Sequence, residues 1–376
     1  MKKTFFKNSV LICTSLIMLI TIFCSCEKKQ TEETDNDMYY KGIIDSYVDN
    51  TVIATYRNMA DNAIELSVLC KELKANPTDA KVAETCNKWK DARSFWEKSE
   101  AFLYGPAEYN SLDPHIDSWP LDKNQLDQVL SQADILTIDG AYARSNFGSS
   151  LIGFHSIEYV LFRDGAARQA TDISQAELAY LCAIAEVLAE DCILLEGNWC
   201  GFNNLSASKK EIIANADLSI SSNFGEEMKN AGNPGSRYRS LQQAIFEILE
   251  GCKDIADEVG NSKIADPVSS QNVLEVESWY SWNSLSDFVN NINSIENSYL
   301  GGINGFQANS LSNFVAQKNQ ALDEEIKNNI NIAKTKILAI GQPFRNNLNN
   351  VTGAQEAMTA CDNLFNSIEK VYTVIE

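Results

Sequence analysis

Apolar residues recur at spacings of three and four along almost the whole chain, which is the pattern of helices that bury one face. Alternating apolar and polar runs, which indicate strands, are nearly absent. The spacing predicts long helices at residues 40–74, 78–103, 149–162, 173–196, 237–260, 283–300, 307–340 and 354–375. Start signals such as Asn76-Pro77-Thr78-Asp79 support several of these limits. The predicted fold class is therefore all-α.

Two polar stretches interrupt the helical pattern. The first, at residues 105–122, is long for a loop inside a compact domain, and loops of this kind usually carry function. The second, at residues 197–236, is rich in glycine and separates the first four predicted helices from the last four. Short or moderate connections within each set suit antiparallel bundles. The chain is predicted to form two four-helix-bundle-like domains, at residues 39–204 and 205–376.

The amino-terminal residues have the pattern of an export signal. Three lysines within the first seven residues precede an apolar run at residues 10–23, followed by small residues and cysteine. Ser25 before Cys26 fits a bacterial lipobox, so residues 1–25 are predicted to be a lipoprotein signal peptide and Cys26 to carry the lipid. Residues 26–38 then form a flexible tether. An ordinary secretory signal with another cleavage point is the alternative.

The chain carries a formal charge of −20. Such an acidic surface repels nucleic-acid phosphates and raises the local concentration of cations, so nucleic acid is excluded as a partner and a cationic ligand is favoured. No segment after the signal has the roughly twenty apolar residues needed to cross a bilayer. The predicted location is the bacterial cell envelope, with attachment to the membrane through the lipid on Cys26 and the fold facing the periplasm or the outer side.

Seven cysteines remain after Cys13, Cys24 and Cys26 are set aside. No CxxC pair occurs, so neither a zinc ribbon nor a thioredoxin-like motif is indicated. Cys70 and Cys86 flank the predicted turn between the first two helices. They form either a disulfide in an oxidising compartment or buried free thiols.

The chain has only two histidines. His155 stands in the apolar segment LIGFHSIEYVLFRDG at residues 151–165. On a helix, His155 and Glu158 are one turn apart, so the imidazole and the carboxylate share a face. His115 follows Asp-Pro in the long loop and is typical of a solvated turn residue, so we leave it out of the predicted site.

A second stripe of interest is formed by Trp89, Arg93, Trp96 and Glu100, at spacings of four, three and four. The two tryptophans indicate that the stripe faces the core, where charged groups persist only if they are paired or coordinate a ligand. One interpretation is a buried ion-pair network that fixes the helix register. The other is a polar pocket formed by this helix and the helix of His155.

These residues resemble the imelysin-like family, bacterial proteins classed with an insulin-cleaving membrane protease and related to periplasmic iron-uptake components. Gly153-Phe154-His155-Ser156-Ile157-Glu158 matches the GxHxxE motif of that family. The resemblance covers nearly all of the mature chain. It continues through Arg93, Glu100-Ala101-Phe102, residues 116–122, Ser281, Asn283, Asp287 and residues 297–301.

The resemblance implies two helical bundles related by an internal pseudo-repeat, with the functional site between them. It places His155, Glu158 and Glu100 as metal ligands, with Arg93 orienting a carboxylate. The remaining pocket residues that it implies are Asp117, Ser281, Asn283 and Asp287. The chain departs from the family pattern at Trp282, which is often acidic, and at Leu285, which is often histidine, so a second imidazole ligand is missing.

Three functions are compatible with this site. One imidazole with several carboxylates suits iron or zinc, so the first is binding of a metal ion or an iron carrier in iron uptake, together with other envelope iron-uptake proteins. The second is a metallopeptidase of the imelysin type, with Glu158 or Glu100 as general base. The third is a polar pocket for another ligand. We expect metal or iron-related binding, because the second histidine that would support hydrolysis is absent.

Overall fold

The computed structural model describes residues 36–132 and 134–375. Within these residues the only strands are β1 (Phe162–Arg163) and β2 (Ala166–Ala167), which pair antiparallel across a tight turn. The rest consists of helices and their connections, so the predicted all-α class is confirmed. The predicted signal peptide, the lipidated Cys26 and most of the tether lie outside the described residues.

Helices follow one another along the described chain with short connections. The α-helices are α1 (Asp37–Ser46), α2 (Ile53–Ala75), α3 (Asp79–Glu97), α4 (Pro106–Tyr109), α5 (Leu112–Asp117), α6 (Lys123–Leu130), α7 (Gly140–Asn146), α8 (Gly153–Leu161), α9 (Gln175–Cys200), α10 (Ala207–Asn215), α11 (Phe224–Lys229), α12 (Leu241–Glu258), α13 (Ala265–Ser270), α14 (Ser284–Leu300), α15 (Leu311–Lys318), α16 (Gln320–Ala339), α17 (Val351–Glu369) and α18 (Tyr372–Ile375). Two π-helical segments, Tyr47–Val52 and Val259–Ile264, join α1 to α2 and α12 to α13. Single 3₁₀ turns lie at Glu100–Phe102, Ile135–Thr137, Ser149–Leu151, Ala170–Asp172, Phe202–Asn204, Val273–Glu275 and Phe344–Asn346.

The first group of helices is built around α2 and α9, which pack against each other along their lengths. Helices α3, α7 and α8 complete this group. α9 begins with a capping box, in which the Ser174 hydroxyl accepts from the Glu177 amide and the Glu177 carboxylate accepts from the Ser174 amide. Most of its later residues are buried, because neighbours cover it on several sides.

The second group consists of α12, α14, α16 and α17, which contact one another in pairs. The amino-terminal helix α1 packs against α12, so the described chain begins on the second group before it enters the first. The two groups meet where α3 contacts α14 and where the turn Glu100–Phe102 contacts α12. Gly251 of α12 allows this approach, since a Cβ there would lie 2.1 Å from the carbonyl oxygen of Ala101.

Several helix limits differ from the predicted ones for local reasons. The helix predicted at 78–103 ends at Glu97, and its last residues form the 3₁₀ turn Glu100–Phe102. The helix predicted at 307–340 is divided at Asn319, whose side chain accepts from the Leu322 amide and starts α16. α10 and α11 fall in the stretch predicted as irregular, and both contact α9. The division near residue 205 and the pseudo-repeat stay predictions.

The seven cysteines beyond the predicted signal are buried and form no disulfides. Cys70 and Cys86 are therefore free thiols, the second of the two alternatives given above. Burial raises the pKa of the Cys86 thiol to about 12, so that thiol is protonated at neutral pH. None of the helices in the described part of the chain is long and apolar enough to cross a membrane.

Candidate functional site

Charged side chains from five elements meet in a buried space between the two helix groups. They come from α3, α5, α8, the π-helical segment after α12, and the turn before α14 together with the first turn of that helix. We call them the central charge cluster, which consists of Arg93, Glu97, Asp117, His155, Glu158, Lys263, Glu277 and Asp287.

The position of His155 depends on how α8 begins. Gly153, its first residue, has a φ of +82°, and a Cβ there would lie 2.4 Å from the carbonyl oxygen of Ile116. Only glycine permits both this backbone conformation and this close approach. The Trp89 indole donates to the Phe154 carbonyl at 3.0 Å, which ties α3 to the same turn. The start of α8 is thereby held beside the end of α5, which carries Asp117.

Arg93 lies at the centre of the cluster and is fully buried. Its Nη2 is 2.6 Å from Glu97 Oε1 and 2.5 Å from Glu277 Oε1, and its Nη1 donates to Asp117. Its Nε lies 3.6 Å from Asp287 Oδ2. Burial alone would lower the pKa of Arg93, but the four carboxyl groups outweigh it and hold that pKa well above its usual range. The guanidinium therefore fixes carboxylates from four elements.

His155 is also buried and faces carboxylates on both sides of its ring. Nδ1 lies 3.2 Å from Glu158 Oε2, whereas Nε2 lies 3.2 Å from Asp117 Oδ1 and 3.8 Å from Glu277 Oε1. Nε2 makes no aligned hydrogen bond in the described structure. Burial and Arg93 lower the pKa of His155, but Asp117 and Glu158 outweigh them and raise it to about 9.

Glu158 has both carboxylate oxygens engaged. Oε1 accepts from the backbone amide of Ser281 at 2.8 Å and from its hydroxyl at 2.7 Å, and Oε2 faces His155. The carboxylate therefore connects α8 to the turn before α14. It also orients the imidazole, as the outer hydrogen-bond partner of a metal-binding histidine commonly does.

Asp117 and Glu277 line a cavity of about 680 Å³ that gives access to the cluster. Lys263 borders the same cavity, and its Nζ lies 2.9 Å from Glu277 Oε2. Burial would lower the pKa of Lys263, but Glu277 and Glu100 outweigh it and hold that pKa well above its usual range. The Trp119 ring also lines the cavity and packs 4.7 Å, centroid to centroid, from the imidazole of His155.

Two sets of side chains offer donor atoms close enough to share one ion. Asp117, His155 and Glu277 form the first set, and Glu97, Glu100 and Asp117 form the second, each with one ligand atom per residue within 4.8 Å of the others. Asp117 belongs to both. Burial raises the pKa of Glu97 and of Glu100 well above the usual range, so protons compete with a cation in the second set. The first set contains the imidazole.

Asp287 and Glu97 close the far side of the cluster. Asn283 donates to Asp287 Oδ1 at 2.6 Å, whereas Asp287 Oδ2 is buried without an aligned hydrogen bond. Burial raises the pKa of Asp287 to about 6, against the opposing effect of Arg93. Asn291 donates to Glu97 Oε2 at 2.5 Å. The carboxyl groups of the cluster are thus held from both helix groups.

The relation of this chain to known proteins agrees with the all-α fold. The sequence model of the Imelysin family matches residues 52–371, most of the chain. The chain belongs to the imelysin family.

Relatives of this imelysin have been named for iron. Iron-regulated protein A of Synechococcus elongatus is 27% identical over 341 residues, which cover 90% of this chain and 85% of the relative. The crystal structure of a protein assigned as an iron-regulated protein A precursor from Parabacteroides distasonis is 30% identical with a TM-score of 0.79, and the match covers 92% of this chain and 97% of that one. An imelysin-like protein from Psychrobacter arcticum, at 12% identity and a TM-score of 0.64, shares the fold over 89% of this chain and 95% of its own.

The imelysin structure brings the predicted site residues together. Arg93, Asp117, His155, Glu158 and Asp287 lie in the cluster. Ser281 and Asn283 hydrogen-bond to two of its carboxylates, and Glu100 borders the same cavity as Asp117. The predicted ligand set of His155, Glu158 and Glu100 stays a prediction. The geometry favours a different set, because Glu158 faces Nδ1 of His155 and belongs to neither set of donors, and Glu100 lies with Glu97 rather than with the imidazole.

Sequence reasoning missed Glu97, Lys263, Glu277 and Asn291. A signal was present for Glu97, which follows Arg93 by four residues on the same buried face. Glu277 and Lys263 had none, since they lie in a turn and in a π-helical segment, where helical periodicity does not report the face of a side chain. His115 was left out of the predicted site, and its Nδ1 lies 3.5 Å from Asp191, which is not a member of the cluster.

Proposed function

We propose that this imelysin binds iron, as an ion or within a small complex, at the Asp117, His155 and Glu277 side of the central charge cluster. The metal is cargo rather than a resident cofactor in this proposal. The protein would act in iron uptake at the bacterial cell envelope, attached through lipid on Cys26 and working with other envelope proteins of the same process. Zinc is the competing ion, because it accepts the same imidazole and carboxylate donors.

The main support for the proposal is the environment of His155 Nε2. This atom is buried and lacks an aligned hydrogen bond, although two carboxylate oxygens lie 3.2 and 3.8 Å from it. Donor atoms that share one cation about 2 Å away lie about 3 Å apart, so this spacing suits a common ligand. The other nitrogen is held by Glu158, which fixes the ring orientation.

The same oxygens also contact the positively charged Arg93, so the charge balance of the whole cluster determines whether a cation can bind there. Asp117 accepts from Nη1, and Glu277 Oε1 lies 2.5 Å from Nη2. A carboxylate oxygen has two lone pairs, so one oxygen can accept from a guanidinium and bind a cation. The cluster holds five carboxyl groups against Arg93, Lys263 and protonated His155. Replacing the proton of His155 by a cation therefore adds positive charge where negative charge is in excess.

Iron is favoured over zinc by the donors and by the relatives. Two of the three donors are hard carboxylate oxygens, which ferric iron prefers. Two of the relatives carry names that refer to iron regulation.

The cavity of about 680 Å³ is lined by Asp117 and Glu277, so an ion that enters through it meets these two carboxylates before it reaches His155.

The arrangement does not favour the peptidase function. A general base must be directed at the metal-bound water, whereas Glu158 belongs to neither donor set and faces His155 Nδ1, on the opposite side of the ring from Nε2. Glu100 is not in the donor set that contains the imidazole. We therefore expect no chelator-sensitive cleavage of protein substrates, and such cleavage by the purified protein would contradict this ranking.

The proposal is tested by metal titration of chelator-stripped protein. Ferric iron, presented as its nitrilotriacetate complex, and zinc are titrated calorimetrically into the wild type and into His155→Gln, which keeps most of the side-chain volume. We expect one site in the wild type, and affinity reduced about tenfold or more in the variant because one ligand is lost.

The chain supplies a matched control in its other histidine. His115→Gln makes the same change at a residue whose side chain is 35% exposed and faces Asp191 instead of the donor atoms of the cluster, so its metal affinity should equal that of the wild type. Equal affinity in His155→Gln and the wild type would reject the ligand role of His155. Absence of any iron or zinc binding by the wild type would reject the proposal as a whole.

A further inference from the structure

A second cavity, of about 930 Å³, lies beside the first and shares Trp119, Pro120, Leu274 and Glu275 with it as a wall. Cavities of roughly 300–1,000 Å³ commonly hold small organic ligands. This one is lined by several aromatic rings and by basic side chains, although the protein as a whole is strongly acidic. Residues of α6 and α8 line it, and α8 also carries His155.

The arginines of this cavity differ from most arginines of the chain. Of the eight arginines, five form salt bridges with carboxylates. Within residues 36–132 and 134–375, Arg163, Arg239 and Arg345 form none. Arg163 and Arg345 both line the cavity, whereas Arg239 is exposed elsewhere. Two cations without an acidic partner therefore face one space.

Both guanidinium groups lie over aromatic rings. The Arg163 Cζ is 4.2 Å from the Tyr159 ring centroid and 5.6 Å from that of Tyr280. The Arg345 Cζ is 4.2 Å from the Trp279 centroid, and the Trp279 and Tyr280 rings pack 4.3 Å apart. Stacking orders the guanidinium planes and leaves their edges able to donate.

The hydrogen bonds of these arginines leave donors unused. Arg163 Nη1 donates to the backbone carbonyls of Tyr159 and Phe162, and Arg345 Nη1 donates to that of Trp279 at 3.4 Å. Arg345 Nε is buried and has no partner in the described structure. A buried donor without an acceptor is costly, and a bound anion would remove that cost.

The cavity also contains carboxylates, but most of them are engaged elsewhere. Asp122 accepts from the Gln125 amide at the start of α6, at 2.9 Å. Glu275 accepts from the hydroxyl of Ser270 at 2.6 Å and from the amide of Asn272 at 3.1 Å. Asp164 also lines the cavity and is exposed. None of these three carboxylates forms a salt bridge with the two arginines in the described structure, so the positive edges remain available to a ligand.

We propose that this second cavity binds a planar aromatic anion, such as an aromatic carboxylate, with its ring against Tyr159, Trp279 and Tyr280 and its charge at Arg163 and Arg345. Two guanidinium forks can hold a carboxylate through charge-assisted hydrogen bonds. The neighbouring rings supply a stacking surface for the aromatic part. This site does not depend on metal binding at the central charge cluster.

The test uses 2-naphthoate as probe, with chelator present throughout so that metal binding plays no part. 2-Naphthamide keeps the rings without the charge, and cyclohexanecarboxylate keeps the charge without the aromatic rings. Calorimetry and quenching of tryptophan fluorescence report binding. We expect saturable binding of 2-naphthoate, and binding of each control compound weakened about fivefold or more because half of the recognition is missing.

Three variants with the same substitution locate the site. Arg345→Gln and Arg163→Gln should each weaken 2-naphthoate binding about five- to tenfold, because a charged fork becomes a neutral amide. Arg239→Gln removes an arginine that also lacks an acidic partner but lies outside the cavity, and it should bind like the wild type. Arg345 supports no helix through its side chain, so its variant keeps the test valid if Arg163→Gln fails to fold.

Three results would overturn the inference. The first is absence of 2-naphthoate binding by the wild type, and the second is equally tight binding of 2-naphthamide. The third is unchanged affinity in Arg345→Gln. None of these results bears on the iron proposal, whose own titration uses His155→Gln.

Discussion

Two charge clusters in this protein are built on different principles. The first is the central charge cluster, and the second consists of Arg57, Asp61, Glu196 and Lys209, of which Glu196 and Lys209 are buried whereas Arg57 and Asp61 are about half exposed. Lys209 Nζ lies 2.5 Å from Glu196 Oε2 and 2.7 Å from Asp61 Oδ1, and Arg57 Nε lies 3.3 Å from Glu196 Oε1. Two cations face two carboxylates, and none of these four side chains has a buried polar atom without a partner in the described structure.

The central charge cluster is unbalanced by comparison. Five carboxyl groups surround three cationic side chains, and four buried atoms lack an aligned hydrogen bond, namely Arg93 Nε, Glu97 Oε1, His155 Nε2 and Asp287 Oδ2. Buried polar atoms are normally satisfied, because leaving one unpaired costs free energy. A cluster that only fixed helix register would be expected to resemble the one at Lys209. The surplus of carboxyl groups, together with the buried His155 Nε2, is what a binding site for a cation requires.

The largest difference between the clusters should appear when the central cation of each is removed. Arg93→Met should lower the free energy of unfolding by about 3–5 kcal/mol at pH 7, because several buried carboxylates lose their partner at once. Lys209→Met should cost less, about 1–2 kcal/mol, since Arg57 remains beside Glu196. Chemical denaturation of both variants measures the difference. Equal losses would mean that the central cluster is an ordinary ion-pair network.

The second-largest effect concerns the pH dependence of stability, to which Asp287 of the central charge cluster contributes. The pKa of Asp287 in the folded state, about 6, lies above the ordinary value of 3.8 because the group is buried. The folded state then binds more protons than the unfolded state between about pH 4 and pH 6, so this group makes stability fall as pH rises through that window.

Asp287→Asn removes this titration while keeping an oxygen that can accept from Asn283. The stability of the variant relative to the wild type should therefore increase from pH 4 to pH 6 and level off above it. Thermal melts at matched ionic strength provide the comparison. A constant difference between Asp287→Asn and the wild type would contradict the pKa shift.

A smaller effect is expected from the hydroxyl that holds Glu158. Ser281→Ala should cost about 1–2 kcal/mol of stability, because one hydrogen bond to a buried carboxylate is lost. It should also weaken metal binding about tenfold, since Glu158 then orients His155 less well. Ser367→Ala is the matched control, a buried serine whose hydroxyl bonds only to a carbonyl of its own helix. Loss of stability without loss of metal affinity would make Glu158 purely structural.

Helical periodicity in the sequence correctly predicts which side chains are buried wherever a helix presents one face to the core. The stripe of Trp89, Arg93 and Trp96 is buried as predicted, and His155 and Glu158 share a face of α8. Periodicity identifies these positions because burial on a regular helix repeats with the helical turn.

The rest of the site depends on elements without a repeat. Asp117 ends a short helix inside a stretch predicted as a loop, and Glu277 lies in a turn whose direction no local pattern encodes. The pairing of these residues with Arg93 arises from tertiary packing, above all from the close approach at Gly153. Most residues of the site can therefore be predicted from the sequence, whereas the arrangement of the atoms that could bind a metal cannot.

The smallest expected effect separates the ligand set predicted from sequence from the set favoured by the geometry. Glu277→Gln should weaken iron or zinc binding about tenfold, because Glu277 Oε1 lies 3.8 Å from His155 Nε2 and is a proposed ligand. Glu100→Gln should change affinity less than about threefold, because Glu100 belongs to the donor set that contains Asp117 but lacks His155. Burial also raises the pKa of Glu100, which favours its neutral form. Both residues line the same cavity, so a general effect of altering the cavity wall would reduce the two affinities equally. A greater loss in Glu100→Gln than in Glu277→Gln would restore the ligand set of His155, Glu158 and Glu100.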